Sequence, residues 1–331
     1  MFWTRLASGV VLIIMMLLSL GFGGIVLTVL LAVASIIGWK ELMDVILKDS
    51  IHHGSTKSSI ETSIEISKTS NGASSEASTE TLETSKGTST LMSTGASSPA
   101  LLGNPDRLLR NFGYLLGVLA IVAYYTVLYF TNTPTQYLSV IAIFILCLFL
   151  FPLFFYVFLY PKISLSRLGA ILFSFVYVPV MLSFVLMTRE MEQGAFYVWL
   201  ILIGAWGSDT SAYCVGRLFG KRHIFPVLSP KKSLEGCIGG VLGAAFIGMI
   251  YTYCFVRPLG SDWVLVGWIA LVCAVASIVG QIGDLAASAV KREHQIKDYG
   301  HLIPGHGGIL DRFDSIITIA PIIFFFMLVV A

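Results

Sequence analysis

The sequence predicts an all-α polytopic membrane protein of about nine transmembrane helices, with its candidate active site on the cytoplasmic side. Three observations carry this. Only 12% of the 331 residues are charged while 56% are hydrophobic and 22 are Phe; a soluble domain carries roughly 25% charged residues. The mean hydropathy is +0.84, and the apolar residues fall in runs of roughly 20, the helix length that crosses a hydrocarbon core with every backbone polar group paired. Third, with the N-terminus placed in the cytoplasm, 19 of the 21 Lys and Arg fall on the cytoplasmic side and only Arg189 and Arg257 outside, as the bias of basic residues toward cytoplasmic loops requires. A soluble enzyme is ruled out. The formal net charge of +2 gives no basic field, so nucleic acid is not an expected partner.

Taken in order, the expected spans are Leu6 to Leu20, Gly24 to Leu42, Leu108 to Phe130, Tyr137 to Tyr160, Leu168 to Met187, Ala195 to Gly216, Leu234 to Val256, Trp263 to Val290 and Ser315 to Ala331. The first two are separated by Gly21 to Gly24, a tight turn between helices. A secretory signal with Arg5 and the pattern Ala32, Val33, Ala34 is the competing account of this start, but the apolar stretch is too long for one signal core. Between spans two and three, Gly54 to Pro99 holds 23 Ser or Thr in 46 residues and no aromatic. Such a composition buries too little apolar area to offset its ordering entropy. The expected organisation is therefore 1–47, an N-terminal helical hairpin; 48–105, a Ser/Thr-rich disordered cytoplasmic insertion; 106–190, middle transmembrane helices; and 191–331, a catalytic transmembrane region. The cysteines Cys147, Cys214, Cys237, Cys254 and Cys273 sit in apolar stretches without a CxxC pair, and are expected to be small buried hydrophobes.

Ionisable residues inside spans are costly and usually face a polar cavity. In the sixth span Asp209, Tyr213 and Arg217 recur every four residues, on one helix face. In the eighth, Asp284, Ser288, Lys291 and Arg292 again share a face, with a carboxylate deep and cations shallow, a layout suited to a metal with phosphates above it. Two basic residues at a helix end are also ordinary topological anchors. The following loop runs from Lys297 through Gly300, Pro304, Gly305, His306, Gly307 and Gly308 to Asp311, Arg312 and Asp314. Its glycines permit close backbone approach to a ligand, and the amides opening the ninth helix favour anions. Asp311 and Asp314, at i and i+3, could reach one hard cation or could serve as helix caps. A second segment, Ser229, Pro230, Lys231, Lys232, Ser233, Leu234 and Glu235, opens the seventh span with lysines and hydroxyls that suit polyphosphate; such basic loops also hold lipid head groups.

At these residues the sequence resembles the phosphatidate cytidylyltransferase (CDP-diacylglycerol synthase) family. Ser288, Lys291, Arg292, Lys297, Asp298, Gly300, Pro304, His306, Gly307, Gly308, Asp311, Arg312 and Asp314 fit that family's signature in register over 288–314, and Ser229 to Gly236 and Asp209 to Gly220 are similar to it as well. The Ser/Thr-rich insertion departs from the family's compact pattern. The resemblance implies that CTP and phosphatidate give CDP-diacylglycerol and pyrophosphate, for phospholipid biosynthesis, with Mg²⁺ and, as an option, a second cation. It implies Asp284, Asp311 and Asp314 as metal ligands, and Asp284, Lys291, Lys297, Asp311 and Arg312 as the catalytic set. Asp209, Ser229, Lys231, Lys232, Ser233, Glu235, Ser288, Arg292, His306, Gly307 and Gly308 would contact nucleotide or substrate. Membrane lipid is a further expected partner, a homodimer is one option for assembly, and a bacterial plasma membrane is the expected location. The rival functions are a CTP-dependent polyprenol or phytol kinase and, in a different class, a cation-coupled transporter using Asp209 and Asp284.

Overall fold

The structure, a computed structural model, describes residues 14–47, 105–160, 164–256, 258, 262–303 and 307–330. Among these residues the chain forms nine helices and no strand. They are α1 (14–22), α2 (Gly24–Leu47), α3 (Pro105–Tyr129), α4 (Pro134–Phe158), α5 (Leu165–Arg189), α6 (194–219), α7 (Leu234–Val256), α8 (Trp263–Glu293) and α9 (Leu310–Val330). Seven of them, α2 to α5 and α7 to α9, are long and apolar enough to cross a membrane, and the protein is an integral membrane protein. The second half of α6 carries Ser208, Asp209, Thr210, Ser211 and Arg217, which leaves that helix less apolar than the seven. The expected first span lies largely outside the described residues, as does nearly all of the Ser/Thr-rich segment.

Two compact units are distinguished, residues 1–47 with 118–331, and residues 48–117. Of the second only the opening turns of α3 are described.

Glycine makes the turn between α1 and α2. Gly23 and Gly24 sit at φ +61° and +49°, left-handed values that cost an L side chain about 1–2 kcal/mol. The end of α5 straps this turn: Arg189 donates to Leu20 O at 2.9 Å and Gly21 O at 3.3 Å, and Glu190 accepts from Gly24 N. The opposite end of α2 reaches the start of α9, where Glu41 accepts from Ile309 and Leu310 amides. α2 therefore spans the unit from one end to the other.

Inside, hydroxyls tie the helices. Tyr125 shares a 2.8 Å hydrogen bond with Ser35 of α2 and donates to Pro179 O of α5, and Tyr124 pairs with Ser183 at 2.9 Å. Such interhelical bonds contribute about 0.6 kcal/mol each in a membrane setting. Pro179 lacks an N–H, and the helix accommodates it in a π segment, Val176–Val180. Two further π segments occur, Ile203–Gly207 in α6 and Thr252–Val256 in α7.

The helices α6, α7, α8 and α9 approach through small residues. A Cβ on Gly239 would overlap Val215, one on Gly243 would overlap Ser211, and one on Gly283 would overlap Thr318. This close packing brings Ser208 of α6 to 2.6 Å from Ser277 of α8, and lets Gln281 donate to Cys237 O and Ser277 Oγ at 3.2 Å each. α4 lies outside this group, with few buried residues and an apolar surface almost all round. All five cysteines are free. The expectation that they are buried holds for Cys273 and is corrected for Cys147, Cys214 and Cys254, which are exposed, while Cys237 is half-buried.

Candidate functional site

Polar residues of five helices, α2, α5, α6, α8 and α9, and of the segment preceding α7 converge at the end of the unit where α8 stops and α9 begins. α8 delivers Asp284, Ser288, Lys291 and Arg292 along its last three turns and ends at Glu293. The chain then turns at Gln295, φ +55°, and crosses back through Tyr299 to a short bridge between Ile303 and Gly307. α9 starts at Leu310, five residues before the expected Ser315, so Asp311 and Asp314 lie in its opening turns.

Asp311 is the knot of this loop. Its Oδ2 accepts from Gly308 N at 3.0 Å and Tyr299 N at 2.8 Å, and its Oδ1 pairs with Lys291 Nζ at 2.9 Å. Both oxygens are thus engaged by the protein. Lys291 also stands 5.4 Å from the centre of the Tyr299 ring, a cation–π arrangement. The Tyr299 hydroxyl donates to Ala287 O at 2.9 Å. Burial, with the charges of Tyr177 and Asp311 nearby, pushes the Tyr299 phenol well above its usual range, so it stays a neutral donor. Gly307 is required at φ +85°, where a Cβ would also come within 3.0 Å of Asp311 Oδ2.

Asp284 forms the second knot. Its Oδ2 lies 2.6 Å from Lys232 Nζ, which arrives from the segment preceding α7. Asp209, on an exposed face of α6, is an electrostatic neighbour of both Asp284 and Lys232. Asp314 is buried, its Oδ1 accepts from Ser315 N at 2.8 Å, and its charged neighbours are Asp284, Lys291 and Asp311. The expected stripe on α6 is formed, with Arg217 donating to Tyr213 at 3.1 Å.

Other candidates have structural partners. Ser233 is the N-cap of α7, accepting from Gly236 N, and is buried. Glu235 accepts from Lys221 N and Arg222 N, anchoring the turn after α6. Ser229 N donates to Phe225 O within its loop. Lys231, Arg292, Lys297 and Arg312 are exposed, and Ser288 is half-buried. His306 lies outside the described residues.

Two groups at this site fall outside the expected set. Glu41 of α2 binds the amides of Ile309 and Leu310 at 3.1 and 2.9 Å. It does carry a signal in the sequence, since it is the one acidic residue in the expected second span. Tyr177, in the π segment of α5, has a buried hydroxyl with no protein hydrogen-bond partner and has Asp314 and Asp284 as charged neighbours. Periodicity alone gives no sign of it.

These groups meet the chemical requirements of a hard divalent cation in part. Four aspartates, Asp209, Asp284, Asp311 and Asp314, are set against Lys232 and Lys291 as their cationic neighbours, and carboxylate oxygens are the donors such an ion takes. The unpartnered Tyr177 hydroxyl lies by the same acids. Among the described residues no three His, Cys, Asp or Glu side chains are gathered closely enough to hold one ion. Asp284 and Asp314 each have one oxygen engaged, by Lys232 Nζ and Ser315 N, whereas Asp311 has both engaged. The arrangement sets lysine ammonium groups, the kind of partner a phosphate takes, beside carboxylates, the donor type a hard cation takes.

Comparison with known proteins gives a consistent result. Residues 106–330 match the profile described as the Cytidylyltransferase family. The chain is 34% identical over 165 residues to the phosphatidate cytidylyltransferase of Bacillus subtilis (strain 168), an alignment covering 50% of this chain and 60% of that protein. It is 40% identical over 152 residues to that of Staphylococcus haemolyticus (strain JCSC1435), and 39% identical over 152 residues to that of Staphylococcus aureus (strain COL), covering 46% of this chain and 56% of each relative. The matched part therefore spans a little over half the length of these relatives.

Proposed function

The chain belongs to the cytidylyltransferase family, and on that footing we propose that it transfers the cytidylyl group of CTP to phosphatidate, giving CDP-diacylglycerol and pyrophosphate. The observation that carries this reading is the register of 288–314, which closes on itself so that residues at both of its ends, Lys291 and Asp311, pair. The names of the bacterial relatives support the choice of substrate pair.

A phosphate oxygen of phosphatidate would attack the α-phosphorus of CTP, forming a P–O bond while the bond from the α-phosphorus to the bridging oxygen breaks and pyrophosphate leaves. The attacking phosphomonoester is already an anion, so no strong general base is required. The task is to bring two anions together, which positioned cations accomplish. Lys232 and Lys291 sit within the acidic cluster, while Lys231, Arg292, Lys297 and Arg312 extend the positive charge toward solvent. Incoming phosphates would share Lys232 with Asp284. Asp209 would orient the substrate beside them, and the Tyr177 hydroxyl would donate to an oxygen arriving among Asp284 and Asp314. Asp284 and Asp314 would hold Mg²⁺, which when bound neutralises charge building on the departing pyrophosphate. Asp311 would join them only by releasing Lys291.

The cytoplasmic side is the proposed location of this end, in a bacterial plasma membrane. Lys40, Arg217, Lys221, Arg222, Lys231, Lys232, Lys291, Arg292, Lys297 and Arg312 all belong to segments at or near it, whereas Arg189 lies at the other end, on the α1–α2 turn.

The test is product identity. Purified protein in lipid nanodiscs, given phosphatidate, Mg²⁺ and CTP labelled at the α-phosphorus, should place the label in lipid and release unlabelled pyrophosphate. Label reaching lipid from the γ-phosphorus instead would make it a kinase, and accumulation of substrate in sealed vesicles without CTP consumption would make it a transporter.

A further inference from the structure

An α-helix leaves its first amides without intrahelical partners, and a side chain just before the helix usually accepts from them. At α9 the residues before the helix are Gly308 and Ile309, neither of which carries an acceptor. The structure meets the need from elsewhere. Glu41 Oε1 accepts from Ile309 N at 3.1 Å and Oε2 from Leu310 N at 2.9 Å. The adjoining Gly308 amide is taken by Asp311. The three successive amides of Gly308, Ile309 and Leu310 are therefore bound to carboxylates of the protein itself.

The contact is closely fitted. A Cβ on Gly308 would stand 2.5 Å from Glu41 Oε2, and one on Gly300 would overlap Glu41 Oε1. One carboxylate on α2 thus meets the loop after α8 and the first residues of α9. Because each oxygen holds a different amide, both the height and the rotation of the start of α9 are set. Asp311 and Asp314 follow within the next turn, and Asp311 is among the charged neighbours of Glu41. A negative charge at a helix N-terminus is also favoured by the helix dipole. Glu41 precedes residues 106–330, the part matched to the family profile.

We infer that Glu41 is a positioning residue of the transfer site: it touches neither substrate and acts by fixing the start of α9, and with it the two aspartates that follow. This rests on the cytidylyl-transfer reading. The closing experiment uses full-length protein in nanodiscs and compares wild type with Glu41→Ala, Glu41→Gln and Glu41→Asp, by thermal melt, by amide hydrogen exchange over 307–312 and by steady-state turnover. Glu41→Ala should raise exchange at 308–310 about tenfold or more and lower kcat by about tenfold or more, with KM for CTP changed less than about threefold, because misplacement rather than lost binding is the defect. Glu41→Gln, which keeps one acceptor, should fall between, and Glu41→Asp should recover part of the loss.

Unchanged exchange, or a kcat within about twofold of wild type, overturns the inference. So does a rise in KM with kcat intact, which would make Glu41 a nucleotide contact. If Glu41→Ala does not fold, the near-isosteric Glu41→Gln decides by the same criteria; if neither folds, Glu41 is a folding determinant and the positioning role is wrong. Should wild type form no liponucleotide, the functional reading falls, while the exchange comparison still decides whether Glu41 holds α9.

Discussion

Lys291 Nζ and Asp311 Oδ1 lie 2.9 Å apart although 20 positions separate them in the chain. Their side chains are 13% and 3% exposed, so each charge depends on the other for its compensation in a place that water scarcely reaches. Removing one partner of such a pair costs more than the pair contributes, because the survivor is left buried and uncompensated. Asp311→Asn should therefore lower stability by about 3 kcal/mol, read as a melt shift in one detergent, and should abolish turnover. Asp311→Leu combined with Lys291→Met should not restore stability, because the buried amides of Tyr299 and Gly308 lose the oxygen that accepts from them, and should have no activity.

The pair of Lys232 and Asp284 differs in exposure, at 23% and 32%. Lys232 Nζ is itself buried although its stem is partly exposed, so removing the cation leaves Asp284 without its partner while water can still reach the carboxylate, at a cost of about 1–3 kcal/mol. Lys232→Ala should therefore lower the melt moderately while raising KM for CTP by about tenfold through the lost phosphate contact. A large melt shift with unaltered KM would assign Lys232 a structural role instead.

Gly307 gives a backbone test. With φ at +85° and a prospective Cβ 3.0 Å from Asp311 Oδ2, Gly307→Ala should cost about 1–2 kcal/mol and displace Asp311, lowering kcat. Gly267 offers the control: it lies within α8 with nothing within 4 Å of a prospective Cβ, and Gly267→Ala should be neutral or slightly stabilising by up to about 1 kcal/mol. Equal effects at the two positions would contradict the description of the loop.

Orientation can be checked by labelling. In a background without native cysteines, Lys231→Cys should react with an impermeant thiol reagent only from the cytoplasmic face, and Glu192→Cys, exposed in the turn between α5 and α6, only from outside. The reverse pattern would invert the proposed topology.

Much of the fold is legible in the amino-acid sequence. The span Leu234 to Val256 coincides with α7 at both ends, because hydropathy changes abruptly at Ser233 and at Arg257. The glycine turn before α2 and the stripe of Asp209, Tyr213 and Arg217 are likewise visible, since both depend on residues close in sequence. Hydropathy places the start of α9 five residues late, because Asp311, Arg312 and Asp314 look like loop on that scale, whereas Glu41 and Lys291 supply the partners that let them be helical. Glu41 contacts residues 268 and 269 positions away, a relationship that no local pattern encodes. The family resemblance makes Asp311 a metal ligand; its engagement by Lys291, Tyr299 and Gly308 depends on how the loop folds back, which spacing along one helix does not specify. The π segment that presents Tyr177 is equally a product of packing around Pro179.

Transfer of a cytidylyl group at this end of the helices requires Asp284 and Asp314. The most direct measurement is formation of CDP-diacylglycerol from CTP, phosphatidate and Mg²⁺ by wild type and by Asp284→Asn and Asp314→Asn, each shown to be folded by its melt. Wild type should form liponucleotide and pyrophosphate in equal amounts, and each variant should lose about a hundredfold or more. Folded variants that turn over like wild type would contradict that requirement.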